Sequence, residues 1–134
     1  YLGKLSGPLL DRIDLRVVVD PVSRIEMAQN ELGETSDAIR ERVIAARGIA
    51  AKRFAHENWK LNSQIPSRAL RTTYKPERAA MNFLHDELDR ERLTARGLHK
   101  VIRTAWTLAD INRHAIVTLA DVHQAYALRD GVEQ

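Results

Sequence analysis

At 134 residues with 44% hydrophobic content the chain has the length of one domain with a modest core. The absence of cysteine excludes a disulfide framework or a thiolate metal site, and the five scattered histidines form no HExxH spacing, so metal chemistry has little to stand on. The net charge of +3 permits a polyanionic partner without requiring one, and no apolar run approaches the roughly 18 residues of a membrane span.

Aromatic residues make up only 5%, while alanine, leucine, arginine and glutamate are frequent, a balance that favours helix. Gly7-Pro8 and Leu9 to Arg12 read as a short helix or turn. It leads into a strand over Ile13 to Val19, which Asp20-Pro21 ends. No second strand is legible, so the sheet this strand needs must lie outside these residues. Residues 21 to 35 read as a linker loop.

From Thr35 or Ser36 to about Glu57 the positions Ile39, Val43, Ala46, Ala50 and Phe54 recur at helical spacing, predicting a long amphipathic helix with those residues inward. Pro66 opens a short helical segment to about Thr72. Another helix runs from Lys75-Pro76 to about Arg90, with Ala80, Phe83, Leu84 and Leu88 inward. Leu93 to Asn112 is predicted as a further helix, N-capped by Thr94. Its apolar face holds Leu98, Val101, Ile102, Ala105, Leu108 and Ala109; Arg96, His99, Lys100 and Arg103 lie opposite, and Trp106 falls at the boundary. Thr118 and Asp121 resemble a capping box that starts the last helix, which runs to about Arg129 with Leu119, Val122 and Tyr126 inward.

Catalytic motifs are sparse. No glycine-rich phosphate loop, dinucleotide fingerprint or nucleophile elbow is present. Asp86-Glu87 and Asp89 to Arg92 read as solvated surface, because adjacent helical residues point in different directions. Arg96 is the more informative residue. In the first helical turn it opposes the helix dipole, an arrangement that an anion held between guanidinium and helix N-terminus makes favourable. A solvated basic face is the competing explanation. Arg12, just before the strand, is similarly placed to reach outward, and its competing explanation is a salt bridge to Asp11 or Asp14.

The string Lys4-Leu5-Ser6-Gly7-Pro8-Leu9-Leu10-Asp11-Arg12-Ile13-Asp14-Leu15 is followed by Gly33-Glu34-Thr35-Ser36 and by Ile39-Arg40-Glu41-Arg42-Val43. With Thr94-Ala95-Arg96-Gly97-Leu98-His99-Lys100-Val101-Ile102-Arg103 it resembles the C-terminal part of the magnesium-chelatase-like AAA+ ATPases of the ComM and YifB group. The resemblance covers nearly the whole chain, in order. It implies a mainly α fold: a helical bundle lid preceded by a short helix and strand remnant of an α/β AAA+ core. The expected organisation is residues 1–20 as the end of that core, 21–35 as linker and 36–134 as lid.

By the same resemblance Arg12 matches the arginine finger and Arg96 the sensor 2 arginine. ATP and Mg2+ are implied for a full-length parent, the fragment alone being inactive and binding neither. A homo-hexameric ring is implied, together with ATP-driven work on DNA such as branch migration, and the chain is expected to be cytoplasmic. A chelatase subunit that drives magnesium insertion into a porphyrin and a helical nucleic-acid-binding module using Arg96, Lys100 and Arg103 are the alternatives; a structural oligomerisation domain is a third. One departure stands out. Where the family pattern has Ala-Arg-Thr-Ile-Ala-Asp, this chain has Ala105-Trp106-Thr107-Leu108-Ala109-Asp110.

Overall fold

The fold is organised around one helix, α5 (Ala95–Asn112), against which most of the other elements pack. A computed structural model describes residues 7–19, 21 and 33–130. The helices in chain order are α1 (Gly7–Asp11), α2 (Ser36–Arg53), α3 (Ser67–Leu70), α4 (Arg78–Asp89), α5 and α6 (Leu119–Asp130), with a 3-10 turn at Asn62–Gln64. The protein is mainly helical and no strand occurs among the described residues. Residues 1–6 and 22–32, which include Lys4 to Ser6 of the opening motif and most of the expected linker, lie outside the described residues.

The start of α5 follows from its sequence. Thr94 adopts an extended conformation and its Oγ1 accepts the Gly97 N–H at 3.0 Å, satisfying one of the donors that a helix leaves open at its first turn. Leu98, Val101, Ile102, Ala105 and Ala109 then fall on one side and are buried, as the spacing predicts. Trp106 is buried rather than at a boundary: its Nε1 donates to the Tyr74 carbonyl at 2.8 Å, and its ring meets Tyr74 edge-on at 6.2 Å. Phe54 completes the aromatic group, 5.2 Å from Tyr74.

Helix α6 begins with the expected cap. Asp121 Oδ2 accepts from the Thr118 N–H and hydroxyl, each at 3.0 Å, and the Asp121 N–H donates to Thr118 Oγ1 at 3.2 Å. Glu77, the N-cap of α4, ties the two helix starts together. Its N–H donates to the Val117 carbonyl at 2.9 Å and its Oε1 accepts the Leu119 N–H at 2.7 Å.

Several expectations are corrected. Helix α2 stops at Arg53, four residues short of the expected end, where Phe54 turns into the core. Only Ala46, Ala50 and Phe54 of its predicted stripe are buried; Ile39 and Val43 are each 44% exposed and line an open groove with Thr107 and Ile111 of α5. Pro66 is the cap of α3 rather than its first residue, and α4 starts at Arg78. Glu87 is buried instead of solvated, since Tyr126 donates a hydrogen bond to its Oε2 at 2.8 Å. Ile13 to Val19 form neither helix nor ladder, a strand needing a neighbour that the described residues do not supply.

Candidate functional site

Arg96 stands in the first turn of α5, exposed, with no acidic residue in that turn and no ion-pair partner among the described residues. The open N–H groups and dipole of a helix start carry partial positive charge, so a guanidinium there is mildly disfavoured, and an anion placed between the two relieves it. The surroundings are basic too. His99 is held below the ordinary imidazole range by its burial and by the nearby charges of Arg103 and Arg71. Arg103 is only partly exposed, so its plain surface reading is corrected: Nε donates to the Ile65 carbonyl at 2.9 Å and Nη2 approaches Ser67 Oγ at 3.5 Å. Burial lowers its pKa, which the charge of Asp14 partly offsets.

Arg12 follows α1 directly. Its N–H closes a turn onto the Leu9 carbonyl at 3.1 Å, and its side chain is exposed. The salt bridge to Asp14 considered from sequence is not formed. Asp14 pairs instead with Lys100 of α5, whose ammonium also lies 3.4 Å from the Arg12 carbonyl oxygen. Lys100 is therefore engaged as well, not free on a solvated face.

Residues 13–16 are fixed to α6 by further bonds. The Arg16 N–H donates to the Leu128 carbonyl at 2.6 Å and Arg16 Nε to the Arg129 carbonyl at 2.7 Å, capping a helix end whose last carbonyls have no donor within the helix. Between this segment and α5 lies a cleft of about 250 Å³ lined by Asp14, Leu15, Ser63, Lys100, Arg103, Thr104 and Thr107. The structure thus connects the Arg12 and Arg96 regions through Lys100. The motif resemblance singled out both arginines but not this link, because Asp14 and Lys100 are 86 residues apart. Leu15 within the segment, and Val17 to Val19 beyond it, are exposed.

No cluster of three or more histidine or carboxylate groups suited to a metal occurs among the described residues. None of the helices described is long and apolar enough to cross a membrane.

The central helix thus opens on Thr94-Ala95-Arg96, and the segment that follows Arg12 is bonded to it and to α6. Residues 33–129 match the family described as magnesium chelatase, subunit ChlI C-terminal, and the chain belongs to that family. It is 38% identical over 129 residues to an uncharacterized protein of Mycobacterium tuberculosis, an alignment covering 96% of this chain and 25% of the relative. YifB of Escherichia coli is 33% identical over 130 residues, with 96% of this chain and 25% of the relative covered. Competence protein ComM of Haemophilus influenzae is 34% identical over 113 residues, 83% of this chain and 21% of the relative. The similarity is thus to the C-terminal region of the ComM and YifB group, and the chain spans about a quarter of the length of these relatives.

Proposed function

We propose that this chain is the lid of a magnesium-chelatase-like AAA+ ATPase, in which Arg96 acts as the sensor 2 arginine and Arg12 as the arginine finger. The observation that carries the reading is Arg96 itself: an exposed cation in the capped first turn of α5, paired with no carboxylate among the described residues. That position suits an anionic ligand, and the γ-phosphate of ATP is the one the family membership favours. Phosphoryl transfer spreads negative charge over the γ-phosphoryl oxygens, which a guanidinium from the same or an adjacent subunit stabilises. Arg12, exposed and free of Asp14, is the candidate for the adjacent subunit's nucleotide in a homo-hexameric ring. The exposed Val17 to Val19 are consistent with a segment that meets an ATPase core in the longer protein.

Mg2+ enters this reading with the nucleotide, and the phosphate loop that holds both belongs to the remainder of the parent. The substrate we propose for ATP-driven work is DNA, through branch migration; the competence protein among the relatives supports it. The test is ATP turnover by the full-length protein. Arg12→Ala is expected to lower it by about 10³ or more, the usual scale for an arginine finger. Arg96→Ala should lower it as well, and parental turnover in both variants would end the assignment. Branched DNA should stimulate turnover. Magnesium insertion into a porphyrin by the same protein, without a DNA response, would replace DNA as the substrate.

A further inference from the structure

We propose that Lys100 is a positioning residue that couples the helix bearing Arg96 to the segment bearing Arg12. The inference rests on the roles proposed above for those two arginines. Lys100 follows Arg96 by four residues, so both side chains leave the same face of α5 one turn apart. Its ammonium makes two contacts, one with the Asp14 carboxylate and one with the Arg12 carbonyl oxygen at 3.4 Å. These flank Ile13, so together they set both the position and the tilt of the main chain that carries the Arg12 side chain.

The same segment is held on its other side by α6. Arg16 caps the last carbonyls of that helix, and Arg129 Nη1 approaches the Ile13 carbonyl at 3.5 Å. Residues 12–16 therefore lie between two helices, and on the α5 side Lys100 bonds to them directly. The Lys100 side chain is 18% exposed and that of Asp14 56%. Ion pairs this accessible add little to stability, so the consequence of this one lies in placement. Arg96 and Lys100 are one turn apart on the same helix, so a shift of that turn displaces both. When Arg96 is drawn toward a phosphate, Lys100 moves with it, and the main chain at Arg12 follows. Occupancy of one nucleotide site is thereby reported to the arginine that serves the next.

The predicted signature is a change in turnover without a change in nucleotide binding. In the full-length protein, Lys100→Met is expected to lower kcat about tenfold while KM for ATP stays within about twofold. Asp14→Asn should act in the same direction. Lys100→Arg, which keeps the charge and the donors, should recover most of the rate, and thermal unfolding of each variant gives the folded fraction by which rates are divided. Two results would overturn the coupling and leave the arginines' roles standing. One is parental kcat in Lys100→Met and Asp14→Asn when Arg12→Ala and Arg96→Ala both lose turnover. The other is a loss in Lys100→Met that disappears once corrected for folded protein. Parental turnover in the two arginine variants would instead remove the underlying reading, and the coupling with it.

Discussion

Arg53, at the end of α2, and Asp110, near the end of α5, form a buried ion pair across 57 residues of sequence. Both guanidinium Nη atoms face the carboxylate, and Asn62 bridges the two: its Oδ1 accepts from Arg53 Nη1 at 3.0 Å and its Nδ2 donates to Asp110 Oδ2 at 2.9 Å. The guanidinium carbon also sits 4.2 Å from the Trp106 ring centroid, a cation over an aromatic face. Both Nη atoms of Arg53 and both carboxylate oxygens of Asp110 have partners, and so the pair can be tolerated inside the bundle.

Removing one member should then be costly. Asp110→Ala leaves the Arg53 guanidinium, with its side chain only 14% exposed, without its counter-charge, and is expected to lower unfolding stability by about 3–5 kcal/mol in a urea titration. Arg53→Lys should recover little, because an ammonium cannot satisfy both carboxylate oxygens and Asn62 while lying over Trp106. A loss below about 1 kcal/mol for Asp110→Ala would show that the pair is not buried in solution.

A pH dependence follows from Asp121. Burial pushes its carboxyl pKa up, but hydrogen bonds from His114 and from the Thr118 N–H and hydroxyl outweigh burial and hold it below the ordinary range. A lowered folded-state pKa means that the unfolded chain binds the proton first. The stabilisation is therefore complete above the unfolded aspartate pKa of about 3.9 and is lost as pH falls toward and through the folded value. Asp121→Asn should lower the melting temperature at neutral pH and flatten its decline between about pH 4 and 2, relative to the parent. Parallel melting curves for the two proteins across that range would contradict the assignment.

What the sequence made legible was local. Thr94 before an apolar stripe, and Thr118 three residues before Asp121, specify their helix starts through bonds that span three residues. The stripe on α5 could be read because one helix covered by neighbours along its length keeps its periodicity visible. The same spacing in α2 misled at Ile39 and Val43, since periodicity shows which residues share a face but not whether anything covers it. Arg53 with Asp110, and Lys100 with Asp14, were hidden for a different reason. Each half looks like an ordinary surface charge, and only the tertiary fold brings the halves together. Arg12 and Arg96 were identified by motif resemblance and by the electrostatics of a helix start, and both stand exposed.

Glu77 serves two helices at once, as the cap of α4 and as the acceptor for the first N–H of α6. Glu77→Ala should cost about 1–2 kcal/mol, more than its half-buried side chain would suggest, because the Leu119 N–H loses its partner. Hydrogen exchange gives the sharper check. Faster exchange at Leu119 with little change across α5 is expected, whereas uniform acceleration throughout the bundle would mean a global effect rather than a local one.

Gly97, beside Arg96, is close-packed rather than free. A Cβ there would lie 3.0 Å from Arg129 Nη2 and 3.0 Å from Leu93 Cδ1. Both atoms are the far ends of flexible side chains, so a methyl group needs only a small shift. Replacing a helical glycine by alanine also contributes about 1 kcal/mol in helix propensity. Gly97→Ala is therefore expected to unfold within about 0.5 kcal/mol of the parent, with the two effects in near balance. A larger side chain cannot be accommodated this way. Gly97→Leu must push Arg129 aside, and with it the contact to the Ile13 carbonyl that helps hold the Arg12 segment. It should cost about 1–3 kcal/mol and accelerate exchange at Arg16, whose N–H bonds to Leu128. Equal stability for the alanine and leucine variants would show that Arg129 does not pack over this turn of α5.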